Sequence, residues 1–142
     1  LAGSKPVVVL EARSIQDDRG EVSGQPMGPN ARVLRQGGHV TLAAWGGGVS
    51  TAMQAADVLA SEGIAAEVID LVALHPIDRT TLAKSVQKTG RLVIVHPHDR
   101  SLANAALAVG LDEAFLFLES PLTRATDAPG PVAQAARDAV FY

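Results

Sequence analysis

The stretch from Gly38 to Leu71 leaves this chain few ways to fold. It runs from an apolar segment (Val40-Thr41-Leu42-Ala43-Ala44-Trp45) through three glycines (Gly46, Gly47, Gly48) and an amphipathic stretch ending at Glu62 to Gly63 and a second apolar segment, Ala65 to Leu71. That pattern predicts strand, tight turn, helix, cap and strand. Within the middle piece Val49, Ala52, Met53, Ala56, Leu59 and Ala60 recur at helical spacing and are expected on one face, with Thr51, Gln54, Asp57 and Ser61 on the other. Gly63 follows the last periodic residue, where a left-handed cap strains any residue with a Cβ but not glycine, so the helix is expected to end there. Two strands joined by a helix of this length run parallel in one sheet, with a right-handed crossover.

The remaining segments are expected to pack around that unit. With 142 residues, 47% of them hydrophobic, the chain can bury one sizeable core. Pro6 to Leu10 reads as a strand, followed by a polar, glycine- and proline-bearing stretch from Ser14 to Asn30. Structureless stretches of that length are more usual between domains than inside one, so residues 1–13 are read as the closing strand of a preceding domain, 14–30 as a linker and 31–142 as the domain proper. An ordinary edge strand at the N-terminus is the alternative. Ala31 to Gln36 is a short strand, and Gly37-Gly38 is a hairpin signal that would set it antiparallel to the strand starting at Val40. After the central unit, Asp78 is the expected N-cap of a helix running to about Lys88 and stopped by Gly90. Arg91 to Val95 is the next parallel strand and His96 to Arg100 its loop. Ser101 caps an alanine-rich helix presenting Leu102, Ala105, Ala106 and Val109. Pro121 to Thr126 forms a last strand, and Val132 to Val140 a closing helix. This alternation predicts an α/β three-layer sandwich with a mixed, mostly parallel sheet of about five strands.

Several chemistries are disfavoured at once. A net charge of −3 with no block of like charges offers nothing to nucleic acid or an anionic membrane surface. No apolar run approaches the roughly 20 residues of a membrane span, and no basic-then-apolar leader is present, so the expected setting is cytoplasmic. The absence of cysteine removes disulfides and thiolate metal sites. The glycine run with Asp70 on the next strand evokes a dinucleotide turn, but Thr51 stands where the third glycine should be. A turn that lets the helix approach the sheet is the preferred reading, with a free-standing nucleotide- or anion-binding domain as the alternative. His75, His96 and His98 fall in loops at strand ends, and His96, His98 and Asp99 lack the helical spacing that aims two imidazoles at one ion, so solvated loop histidines are expected. No serine sits in a nucleophile elbow. No catalytic, cofactor-binding or metal-binding residue is therefore assigned. Glu119, in Leu118-Glu119-Ser120-Pro121, reads as a turn acid left free unless a basic partner docks on it.

The same residues carry a resemblance. Val40-Thr41-Leu42 with Trp45-Gly46, then Glu67 to Leu71, then Pro76-Ile77-Asp78 with Leu82, Ser85-Val86 and Lys88 to Leu92, resemble the C-terminal domain of the transketolase-like family, in particular the β subunit of the E1 component of 2-oxo acid dehydrogenase complexes (pyruvate or branched-chain). Leu118-Glu119-Ser120-Pro121 with Arg124 is similar to the family's L-[DE]-A-P-x-x-R stretch, and Pro6 to Arg13 to the closing strand of its pyrimidine-binding domain. The sequence departs from the pattern at Pro97, around Arg100 to Leu102, and at Asp127 to Gly130. The resemblance implies thiamine diphosphate and Mg²⁺ chemistry, held in the family by a G-D-G motif that this chain lacks. It therefore implies a domain that is not catalytic by itself. Its partners would be an E1 α subunit, a second β subunit, and the subunit-binding domain of the E2 acyltransferase, with Glu119 at the docking position. Another thiamine enzyme, such as transketolase or deoxyxylulose-phosphate synthase, would share the domain. A eukaryotic source would move the setting to the mitochondrial matrix.

Overall fold

The computed structural model describes residues 28–96, 114–126 and 128–142, with the isolated positions 6, 8, 19 and 112. The expected strand at Pro6 to Leu10, most of the linker, and the helix capped by Ser101 lie outside the described residues. The elements are β1 (Arg32–Arg35), β2 (Val40–Ala44), α1 (Gly47–Ser61), β3 (Ala66–Asp70), α2 (Arg79–Thr89), β4 (Leu92–His96), a single 3-10 turn (Phe115–Phe117), β5 (Thr123–Thr126) and α3 (Pro129–Val140). The five strands form one sheet in the order β1-β3-β2-β4-β5. β2, β3, β4 and β5 are parallel, and β1 is antiparallel at one edge.

Alternation along the central strands builds two cores. Val40, Leu42, Ala44, Val68, Val93 and Val95 point to the face covered by α1 and α3. Ala43, Ile69, Leu92 and Ile94 point to the other, where Leu82 and Val86 of α2 meet them. Strands buried on both faces read as continuous apolar runs, which is why β2 and β4 lack a polar–apolar alternation.

The caps follow local chemistry. Gly63 (φ 81°) and Gly90 (φ 68°) take the left-handed conformation that ends α1 and α2. Asp78 caps α2 by accepting from the Thr81 amide at 3.0 Å, and its second oxygen accepts from the Ala31 amide at 3.2 Å, tying the start of β1 to that cap. These hydrogen bonds, the Thr81 amide foremost, hold its carboxyl below the usual aspartate range.

Three expectations are corrected. β1 is antiparallel but pairs with β3, in the register Arg32 with Asp70 and Val33 with Ile69, rather than forming a hairpin with β2. The Gly37-Gly38 link crosses over the start of β3. The amides of Gly38 and His39 both donate to the Ala65 carbonyl, and a Cβ at Gly37 would overlap the backbone of Ala65 to Glu67. The face of α1 is also rotated: Gly48, Thr51, Ala52, Ala55, Ala56 and Leu59 are buried, Met53 is half-buried and Ala60 is exposed. Small residues let this helix sit close to the sheet, so the buried stripe follows Ala52, Ala55, Ala56 and Leu59 rather than the bulkier Val49 and Met53. Finally, His96 is not a solvated loop residue; it ends β4 and is buried.

Candidate docking site

The two ends of the parallel strands have different chemistry. Gly46 to Gly48, Asp70, His75 and His96 lie at the carboxyl ends, the side on which open α/β sheets usually bind ligands. There Gly46 (φ 52°) is the N-cap of α1 and leaves Gly47 and Gly48 as its first turn. The Asp70 carboxylate is already engaged, by Arg32 at 3.0 Å and by the Val72 amide at 3.0 Å. His75 is exposed, while His98 and Asp99 lie outside the described residues. Among the described residues, no group of three His, Asp or Glu side chains could hold a metal ion, and no helix is long and apolar enough to cross a membrane.

Glu119 lies at the opposite end, where β2, β4 and β5 begin. Its position is built by contacts distant in sequence. The 3-10 turn closes with the Leu118 amide on the Phe115 carbonyl at 3.2 Å, and the Glu119 amide then donates to the Gly90 carbonyl at 2.7 Å. The Glu119 side chain lies across the α-carbon of Gly90, where a Cβ would come within 2.7 Å of its carboxyl carbon. Gly90 thus serves both the positive φ of the cap and the close approach of the acid.

Arg91 completes the site. Its Nη2 holds Glu119 Oε2 at 2.9 Å, while Nε donates to the Ala139 carbonyl at 2.9 Å and Nη1 to the Thr89 carbonyl at 3.1 Å. A guanidinium fixed by backbone carbonyls orients the carboxylate without losing much freedom itself. The expectation of a free acid is thereby corrected: Glu119 is 63% exposed yet ion-paired within its own chain. A cleft of about 420 Å³ opens here, lined by Gly38, Lys88, Arg91, Leu116 and Glu119 among others. Twenty-eight positions separate Arg91 from Glu119, and nothing in the local pattern announces their pairing.

A second polar cluster escaped the sequence reading. Glu67, the second residue of β3, has a side chain only 3% exposed. Ser85 donates to its Oε1 at 2.6 Å, Lys88 pairs with its Oε2, and Thr41 links Ser85 (2.7 Å) to Thr89 (2.8 Å). The available signal was Ser85, Lys88 and Thr89 at i, i+3 and i+4, a polar stripe on one face of α2. The network is fully paired and joins β2 and β3 to α2, which suits a structural rather than a chemical role.

The comparisons with known proteins agree with this architecture. The family model described as transketolase, C-terminal domain, matches residues 30–141. The chain is 39% identical over 141 residues to the pyruvate dehydrogenase E1 component subunit beta of Leifsonia xyli, covering 94% of this chain and 42% of that protein. It is 40% identical to the 3-methyl-2-oxobutanoate dehydrogenase subunit beta of Mycobacterium tuberculosis, covering 94% and 41% respectively. A solved split-gene transketolase, an inactive beta4 tetramer, superposes with a TM-score of 0.70 at 28% identity over 83% of this chain and 44% of that one. The chain spans about two fifths of the length of the curated relatives it matches. With the model match running from the start of the described sheet region to the last helix, the chain belongs to the transketolase C-terminal domain family.

Proposed function

We propose that this chain is the assembly and docking domain of an E1 β subunit in a 2-oxo acid dehydrogenase complex. The observation that carries the reading is the identity of 39–40% to pyruvate and 3-methyl-2-oxobutanoate dehydrogenase β subunits over 94% of the chain. On this reading the whole complex decarboxylates a 2-oxo acid oxidatively, and this domain packs against an E1 α subunit and a second β subunit. Residues 1–13 close the preceding domain and 14–30 link the two. The setting is the cytoplasm, or the mitochondrial matrix in a eukaryote.

The donor chemistry of the described residues does not fit thiamine diphosphate with Mg²⁺. Among the described residues no acid cluster is placed for the metal, and Asp70, at the end of the sheet where a ligand is expected, is committed to Arg32. We therefore assign the cofactor to the rest of E1, and no chemical step to this domain. The same pairing of Asp70 weighs against the nucleotide-binding alternative.

Glu119 is the residue we assign to docking of the E2 subunit-binding domain. Oε2 is held by Arg91, and the exposed carboxylate can accept one cationic side chain. A desolvated interfacial charge pair contributes about 1.5 kcal/mol or more in coupling energy. Glu119→Gln preserves shape, removes the acid and leaves Arg91 as an uncompensated cation. In an E1 component assembled with its α subunit, the variant is expected to bind the E2 subunit-binding domain more weakly, with a gap that narrows as salt is raised. Equal affinity for variant and wild type at low salt would refute the role of Glu119.

A further inference from the structure

Val72 stands in a backbone conformation that valine avoids. Its φ is 56°, in the left-handed region where a β-branched side chain is strained, and glycines (Gly46, Gly63 and Gly90) take the other positive-φ positions among the described residues. The Ala73 amide donates to the Leu71 carbonyl at 2.5 Å, which makes Val72 the middle residue of a three-residue γ-turn of the strained hand. That turn opens the loop between β3 and α2, at the carboxyl end of the sheet. Glycine would keep such a turn unaided, whereas valine keeps it only while its surroundings impose it.

Two carboxylates impose it, and both reach the start of β1. Asp70 accepts from the Val72 amide through Oδ1 and from Arg32 through Oδ2, each at 3.0 Å. Asp78, at the far end of the loop, accepts from the Thr81 amide through Oδ1 at 3.0 Å and from the Ala31 amide through Oδ2 at 3.2 Å. Each acid therefore has one oxygen on the loop or the helix after it and the other on the pair Ala31-Arg32, where the polypeptide enters the sheet. Leu71 is fully buried with its amide on the Ala44 carbonyl at 2.8 Å, so the turn cannot slide as a whole. Ala31, Leu74 and Ile77 pack on one core cluster. A cleft of about 360 Å³ bounded by Pro29, Asn30 and Pro76 to Thr80 leaves the entry to β1 room to shift against the loop.

We propose that this loop is a latch: the entry of β1 holds Val72 in its strained turn, and a displacement of Ala31 and Arg32 releases it. On release Arg32 leaves Asp70, the carboxylate lets go of the Val72 amide, and Val72 relaxes to negative φ. The segment leading into β1 is thereby coupled to the side of the sheet on which open α/β folds usually bind ligands, through an element with two discrete arrangements. Strain gives the device its direction, because it favours the released turn as soon as the grip is lost. Valine rather than glycine at position 72 is what makes the turn conditional on β1.

The test is hydrogen exchange of the Ala73 amide, the donor that closes the turn, measured residue by residue in the full chain with the amides of Val93 and Ile94 in β4 as the reference for global unfolding. Asp70→Ala removes both grips of that acid and is expected to speed exchange at Ala73 about fivefold. Arg32→Gln changes no hydrogen bond of the turn itself, yet is expected to speed it about threefold by freeing Asp70. The β4 amides should keep their wild-type rates in both. In a Val72→Gly background either change should leave Ala73 within about twofold of Val72→Gly alone, because glycine holds the turn without the latch. Wild-type exchange at Ala73 in both Asp70→Ala and Arg32→Gln would overturn the proposal. Acceleration that persists undiminished with glycine at 72 would show that strain does not drive the release and would overturn it as well. Acceleration shared equally by Val93 and Ile94 would mean that the fold opens as a whole, and the local latch would be wrong.

Discussion

Removing Lys88 should harm this protein far more than removing the acid it pairs with. The Glu67 carboxylate is 3% exposed and accepts from Ser85, from Lys88 and, at 3.5 Å, from the Gly37 amide, whereas the Lys88 side chain is 42% exposed and also reaches Gln36 Oε1 at 2.9 Å. In Lys88→Met the buried carboxylate keeps only neutral donors, and an uncompensated buried charge costs about 3–5 kcal/mol. In Glu67→Met the partner left behind is an ammonium already half in water with a second acceptor, and Ser85 retains Thr41. The expected cost is about 1–2 kcal/mol, the order of one buried hydrogen-bond partner lost. The double variant has no buried charge to strand, so it should resemble Glu67→Met rather than the sum of the two. Urea unfolding followed by circular dichroism reads all three as shifts in midpoint at constant slope. Equal costs for the two single variants, or strict additivity in the double, would refute the asymmetry of burial on which the argument stands.

Three further outcomes follow from the fold. Ala52→Asp puts a charge against the fully buried face of α1 and should cost several kcal/mol, whereas Asp57→Ala, on a side chain 73% exposed and paired with Arg35, should stay within about 0.5 kcal/mol; comparable thermal shifts would mean the helix phase is wrong. Gly37→Ala drives a methyl into the backbone of β3 and should cost several kcal/mol, while Gly38→Ala, with open space at the same atom, should cost little; the pair can be compared in a single denaturation series. Asp78→Ala should cost about 1 kcal/mol at pH 7 through loss of the α2 cap. Because its folded pKa is depressed, the stabilisation by Asp78 is present above the ordinary aspartate value near 4 and fades as pH falls from there through the lower folded value, so wild type and variant should converge in acid; a gap that held constant to pH 2 would contradict this.

What could be read from the chain was what adjacent residues decide. The βαβ core, the glycine stops at Gly63 and Gly90 and the Asp78 cap each depend on a few neighbouring positions, and the structure has them where the pattern put them. β1 shows the limit of such reading. Gly37-Gly38 suits a hairpin equally well, and only the packing of that link against the backbone of Ala65 to Glu67 decides that the strand pairs with β3. The face of α1 departs from the sequence pattern for a related reason. Side-chain size marks Val49 and Met53 as core residues, but close approach to the sheet favours the alanines and even admits Thr51. The resemblance singles out Glu119 as a docking candidate, while the residues that orient it, Gly90 and Arg91, read in the sequence only as a helix stop and a strand start. Glu67 looked like an ordinary polar position in a strand, and its burial becomes intelligible only once Ser85 and Lys88 are seen to close over it.

The central claim is that this domain serves by assembly and docking, while the cofactor is held by other parts of E1. Calorimetric titration of the folded 142-residue chain with thiamine diphosphate in the presence of Mg²⁺ tests that most directly. The account predicts no saturable heat. Stoichiometric binding in the micromolar range would contradict it and would place cofactor-holding residues within this chain.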